Sequence, residues 1–115
     1  SDGSDSLFFR DPETFEIIDS IHVTLKSEKI HNLNELECDG GKVWANVWQT
    51  DQIVGIDLST GFVTDVLDLS KLPINRDSLN SGAVLNGVAR MPDSNNFLIS
   101  GKLWPKIFEV DFNNQ

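Results

Sequence analysis

The sequence holds one cysteine, no tyrosine and half as many basic as acidic residues. Cys38 alone closes no internal disulfide, so cross-linking within the chain is excluded and the redox compartment is left open. Nine Lys and Arg against 18 Asp and Glu give a formal charge of −9. A surface of that sign repels phosphate backbones and anionic lipid, which argues against nucleic acid and membrane as partners. It mildly favours a cationic ligand, such as a free peptide amino terminus. No apolar run approaches the ~20 residues of a spanning helix. The chain opens without an initiator methionine or a signal-like stretch. His22 and His31 lie nine residues apart with no Cys or His cluster between them, so a zinc site is not indicated. Also missing is any convincing 3.6-residue period, so helices are not expected.

What the sequence has is alternation of period two. The 115 residues suggest one small domain, with strands expected over 7–9, 15–23, 42–48, 53–57, 62–69, 84–90, 96–100 and 107–112. Turn signals separate them, among them Asp39-Gly40-Gly41 and Ser59-Thr60-Gly61. The long irregular stretch, 70–82, is polar, carries Pro73 and reads as an insertion between blades, a surface loop or a short helix. RDPETFEI (10–17) and IDLSTGFV (56–63) share the pattern Asp-x-x-Thr-x-x-aliphatic, with Asp11 and Asp57 46 residues apart, and FEVDFNN (108–114) supplies a third Asp at 111. LNEL (33–36) and LNGV (85–88) repeat in the same way. Each aspartate is expected to accept hydrogen bonds from the backbone amides ahead of it and close a turn. A repeat of ~40–50 residues built from about four short strands is the signature of a β-propeller blade. The chain holds between two and three blades, too few for a ring. The expectation is an all-β propeller fragment of about two and a half blades that starts in the second half of a blade.

With the repeat in place, LNELE (33–37), GKVWANVWQTD (41–51), VLNGVA (84–89) and SGKLWPKIFEVDF (100–112) resemble the C-terminal half of the glutamine cyclotransferase family, the plant and bacterial type of glutaminyl-peptide cyclotransferase. The resemblance runs over nearly the whole chain, from SDGSDSLFFRDPETFEI (1–17) onward. It implies a five-bladed propeller and an acyltransferase that turns the N-terminal glutamine of peptides or proteins into pyroglutamate with release of ammonia, without a cofactor. It places the family's pocket asparagine on Asn34, its pocket tryptophan on Trp48 and its pocket lysine on Lys102. The family's catalytic glutamate and Phe-Thr-Gln-Gly segment belong to the N-terminal half and have no matching positions here. The missing half, or a second copy paired through open blade edges, is then an expected partner. Relatives in the family are often secreted, which makes the secretory pathway compatible with the resemblance.

The residues carry a reading of their own. Inner and second strands of a blade run antiparallel, so the start of one and the end of the other open on the same rim. Asn34 and Asn86 start inner strands in successive repeats, whereas Trp48 and Lys102 end second strands, so all four are expected at one mouth. Cyclisation needs a neutral α-amine to attack the γ-amide carbonyl, and an ammonium and an amide N–H suit the oxyanion that forms. Lys102 and Asn34 are therefore the catalytic candidates, and Trp48 and Asn86 the substrate-binding ones. Each has a plainer alternative: Asn34 a turn residue, Trp48 packing between blades, Lys102 a solvated charge. Trp44 and Trp104 read as packing, Cys38 as a packing thiol, and Glu35 and Glu37 as residues facing away from Leu36 that serve a blade junction. A propeller that binds peptides without turnover, and an inactive truncated product, are the other functions the sequence allows.

Overall fold

The computed structural model describes residues 1–73, 83–92 and 94–112. They form antiparallel sheets with no α-helix among the described residues. β1 (Ser6–Arg10) pairs with β2 (Ile17–His22). A small hairpin, β3 (Thr24–Leu25) and β4 (Glu28–Lys29), follows. β5 (Leu33–Asp39), β6 (Lys42–Val47), β7 (Gln52–Asp57) and β8 (Val63–Asp68) make a four-stranded sheet in sequence order. β9 (Leu85–Arg90), β10 (Asn96–Gly101) and β11 (Phe108–Asp111) make a three-stranded one. This is a β-propeller arrangement: one complete blade flanked by the last two strands of the blade before it and the first three of the blade after.

The central blade buries both faces, and its sequence shows why. Along β6, Val43 and Ala45 point into one core with Leu7, Val23, Leu33, Val54 and Ile56. Trp44 points the other way, into a core with Ile53, Leu85, Val88, Phe97, Ile99 and Val110. A strand that is buried on both sides reads as a continuous apolar run, and Val43-Trp44-Ala45 does, with the buried Asn46 as the polar exception. Each aliphatic side chain so buried is worth ~1.5–3 kcal/mol, so the two seams between blades dominate the stability. Gly55 leaves room for the Trp44 indole, since a Cβ there would lie 2.9 Å from the ring. Trp44 meets Phe97 edge-on at 5.6 Å and tilts against Phe112 at 4.9 Å, which bears out its reading as packing.

The repeated turn is built alike in both blades. Asp11 Oδ1 accepts the N–H groups of Glu13 and Thr14 at 2.7 and 3.0 Å, and Asp57 Oδ1 accepts that of Ser59 at 2.8 Å. Thr14 and Thr60 each accept the N–H two residues on. The N–H groups of Phe15 and Gly61 return to the aspartate carbonyls, both at 2.8 Å. Both residues sit in the left-handed region, with φ of 63° and 77°.

Several expectations are corrected. The strand expected over 15–23 begins only at Ile17, because Phe15 holds the left-handed corner of that turn. β5 shows no clean alternation: a bulge at Glu35, φ 49°, breaks the register between Asn34 and Leu36, so Glu35 and Glu37 do not simply oppose Leu36. Glu37 does serve the blade junction, accepting the Arg90 N–H at 3.1 Å. Cys38 is exposed on β5 and is no packing thiol. The expected insertion at 70–82 falls mostly on residues 74–82, which lie outside the described ones.

Candidate substrate pocket

The inner strands of adjacent blades lie side by side and are tied by amides. Asn34 is the second residue of β5 and Asn86 the second of β9. The Asn34 Nδ2 group donates to Asn86 Oδ1 at 3.2 Å. Asn46, opposite Asn34 in the β5–β6 ladder, is fully buried and accepts the Gly87 N–H at 3.0 Å. Trp44, Asn46 and Trp48 thus share the face that meets the next blade. The first fills the seam, the second stitches it, and the third emerges at its end.

Trp48 and Lys102 leave their strands in the same way. Trp48 follows β6 and donates its N–H to the Asn32 carbonyl at 2.8 Å; Lys102 follows β10 and donates to the Val84 carbonyl at 2.9 Å. Each acceptor stands two residues before the blade's asparagine. The next residue in each case, Gln49 at φ 67° and Leu103 at φ 59°, is left-handed. Such a corner ends the strand and turns the preceding side chain toward the rim. At Lys102 a further clamp acts: the Trp104 ring packs on Gly101, where a Cβ would collide with it, and Trp104 Nε1 donates to the Ala83 carbonyl at 3.1 Å.

The result is a cavity of about 510 Å³ lined by Asn34, Trp48 and Lys102, with Asp2, Asn32 and Leu33. Three of the four expected site residues therefore converge. Asn86 is not part of the lining and lies behind Asn34 as its hydrogen-bond partner. Trp48 is 40% exposed, a wall of the cavity rather than core. Asp2 holds the Ser4 N–H at 3.0 Å; hydrogen bonds from the Ser4 side chain and backbone keep its carboxyl below the usual range. Sequence reading passes over Asp2, and no motif marks it.

A second polar cluster does not compete. Asp5 is buried and meets His22 Nδ1 at 3.1 Å, and Ser6 Oγ meets the same nitrogen at 3.3 Å. A nucleophile–base–acid relay needs the two ring nitrogens for two different partners, and here both contacts fall on one. Burial resists ionisation of Asp5. The His22 hydrogen bond and the nearby Lys29 charge outweigh that and hold its carboxyl below the ordinary value. The cluster ties β1 to β2 and to the β3–β4 hairpin.

Fold and cavity together define the class: a β-propeller whose inner-strand rim carries a pocket of amide, indole and ammonium. The profile of the family described as glutamine cyclotransferase matches residues 1–112. The chain belongs to that family. It is 40% identical over 114 residues to a glutaminyl-peptide cyclotransferase of Arabidopsis thaliana, a match spanning 96% of this chain and 35% of that protein. It superposes on the crystal structure of Myxococcus xanthus glutaminyl cyclase with a TM-score of 0.90 at 39% identity, covering 96% of this chain and 48% of the other. The chain thus spans between about a third and a half of the length of these relatives.

Proposed function

We infer that residues 1–115 are a partial propeller domain that supplies one side of the substrate pocket of a glutaminyl-peptide cyclotransferase. The observation that carries this is the convergence of Asn34, Trp48 and Lys102 on one cavity from two blades. The substrate's α-nitrogen attacks the γ-amide carbon, a C–N bond forms, and the carbonyl oxygen takes the negative charge. Collapse of that intermediate breaks the bond to the amide nitrogen, which leaves as ammonia after collecting a proton. The Lys102 ammonium and the second N–H of the Asn34 amide stabilise the oxyanion, where such donors act most strongly. Trp48 supplies a flat wall that favours the folded-back glutamine conformer. Asn86 fixes the Asn34 amide by accepting its other N–H. The proton shuttle needs a carboxyl of raised pKa. Asp2, the carboxylate in the described lining, is held below its ordinary value and is not that group.

In the intact protein, Lys102→Ala and Asn34→Ala should each lower kcat for ammonia release from a glutamine-initiated peptide by ~10²–10³. Full activity in Lys102→Ala would remove this role. A wild-type protein that binds such a peptide and releases no ammonia is a binding propeller instead. The open edges favour a structural partner as well. Among the described residues, β1, which corresponds to β7 in the repeat, pairs with β2 alone, and β11 pairs with β10 alone. The rest of the propeller, or a second copy, completes these sheets.

A further inference from the structure

Three successive blades contribute the same position to the cavity, and the first contribution is Asp2. Counted back from the aspartate that closes each repeat, Asp2 precedes Asp11 by nine residues, Trp48 precedes Asp57 by nine, and Lys102 precedes Asp111 by nine. The strand ladders set the last two in register: Asp57 pairs with Lys42 and Asp111 with Asn96, each the first residue of its blade's second strand. The backbone repeats too. The residue after each is left-handed, Gly3 at φ 86°, Gln49 at 67° and Leu103 at 59°. Gly3 is further tied to the next blade, its carbonyl accepting the Asn32 N–H at 2.9 Å; Asn32 in turn accepts from Trp48. All three side chains line the one cavity.

We propose that Asp2 is a substrate-binding residue that holds the free α-ammonium of the peptide, so that the three equivalent positions present carboxylate, indole and ammonium to three different parts of one N-terminal residue. The proposal rests on the cyclotransferase reading above. A glutamine-initiated peptide carries a positive amino group and, three bonds beyond its α-carbon, a carbonyl carbon on whose oxygen negative charge develops. A pocket that offered only Lys102 and Asn34 would suit the oxygen and repel the amine. Asp2 supplies the opposite charge from the adjoining blade. Hydrogen bonds from the Ser4 N–H and side chain orient the group, and a carboxylate, with about four lone-pair sites, can still accept from the ligand. Its low pKa keeps it ionised where the enzyme meets a protonated peptide, so it anchors the ammonium and leaves proton removal to another group.

The test uses the intact protein and Asp2→Asn, which keeps an acceptor for the Ser4 N–H while removing the charge. Two probes that cannot cyclise separate binding from turnover: a peptide beginning with norvaline, and the same peptide with its α-amine replaced by hydrogen. In Asp2→Asn the norvaline peptide should bind about tenfold more weakly, the size of a lost charge-assisted hydrogen bond. Its des-amino counterpart should bind as in the wild type. With substrate, KM should rise while kcat changes little. Equal affinity of wild type and variant for the norvaline peptide, or equal weakening of both probes, overturns the proposal. Absence of ammonia release from the wild type would instead sink the cyclotransferase reading, and the probe comparison would still report on Asp2.

Discussion

Phe15 and Gly61 occupy the same corner of the same turn, and the difference between them is a local experiment. At Gly61, φ of 77° suits glycine, and a Cβ would collide with the His22 carbonyl oxygen. Gly61→Ala should therefore cost on the order of 2–4 kcal/mol in urea unfolding, the range of a strained backbone position. Phe15 tolerates φ 63° because Arg10 stacks 4.5 Å from its ring centroid and donates to its carbonyl at 2.8 Å. A left-handed L-residue costs ~1–2 kcal/mol, and a cation–π contact offsets ~0.5–1. Phe15→Ala keeps the strain and loses the stacking, whereas Phe15→Gly loses both. The glycine variant should be the more stable of the two by about 1 kcal/mol, read by the same unfolding measurement. The aspartates of these turns add a pH dependence. Hydrogen bonds to Ser59, side chain then backbone, hold the Asp57 carboxyl below its ordinary value, and the Thr14 and Glu13 amides do so for Asp11. The folded state therefore binds their protons more weakly than the unfolded chain does. Stability from these groups is complete above the ordinary carboxylate range of roughly 4 and is lost as the pH falls through the lower folded values. Asp57→Asn should flatten the acid limb of the urea midpoint against pH; an unchanged limb would show that the turn's carboxylate is not linked to folding.

The elements differ in how plainly the sequence announces them. Strands between two cores or beside a repeated turn were legible, because burial and the Asp-x-x-Thr signature each fix a boundary: β6, β7 and β8 fall where alternation and the Asp57 turn place them. β5 was legible only through Asn34, since the Glu35 bulge shifts every side chain beyond it to the other face. The β3–β4 hairpin was not legible at all. Its two-residue loop, Lys26 and Ser27, has φ of 51° and 70°, the geometry that normally calls for Asn-Gly. Neither residue signals a turn, and the hairpin is held instead by Lys29 near the Asp5 carboxylate and the Thr24–Phe62 bridge. Replacing Lys26 and Ser27 by Asn and Gly should relieve that mismatch and raise stability by about 1 kcal/mol. A loss of stability would mean that the loop residues make contacts worth more than their strain. The pocket was legible in the same uneven way. Asn34, Trp48 and Lys102 stand in motifs dense with rare residues. Asp2 stands in a run of Ser, Asp and Gly that reads as a loop, and only a count from the repeat's aspartate sets it beside the others.

At the scale of the whole molecule, the described residues leave one strand at each end of the blade stack with a single neighbour, β1 lacking one on its inner side and β11 on its outer side. The complete blade shows what a third strand has: β7 is covered on one side by β6 and on the other by β8. Among the described residues β1 has β2 alone, and beside it Phe8, Arg10, Phe15 and Ile17 line a cleft of about 500 Å³ that shares Asp2 with the substrate cavity, with Phe15 and Ile17 mostly exposed. Among the described residues β11 has β10 alone as a strand neighbour, and Phe112 beyond it is stacked on Phe97 at 4.1 Å. A strand edge such as that of β1 offers N–H and carbonyl groups for pairing, and the apolar side chains in the cleft beside it supply a driving force for a strand to dock. Charge opposes this, since every copy carries −9 and the repulsion is screened within about 10 Å at 0.1 M salt. The chain on its own should therefore elute from a sizing column as a larger species as its concentration rises. That shift should grow between low and moderate salt. Phe8→Lys, which sets a charge on the β1 edge, should suppress it. Monomeric elution at every concentration and salt would mean that the β1 edge is closed by the chain's own residues, and supplying the remaining blades as a separate polypeptide should then leave the elution volume unchanged.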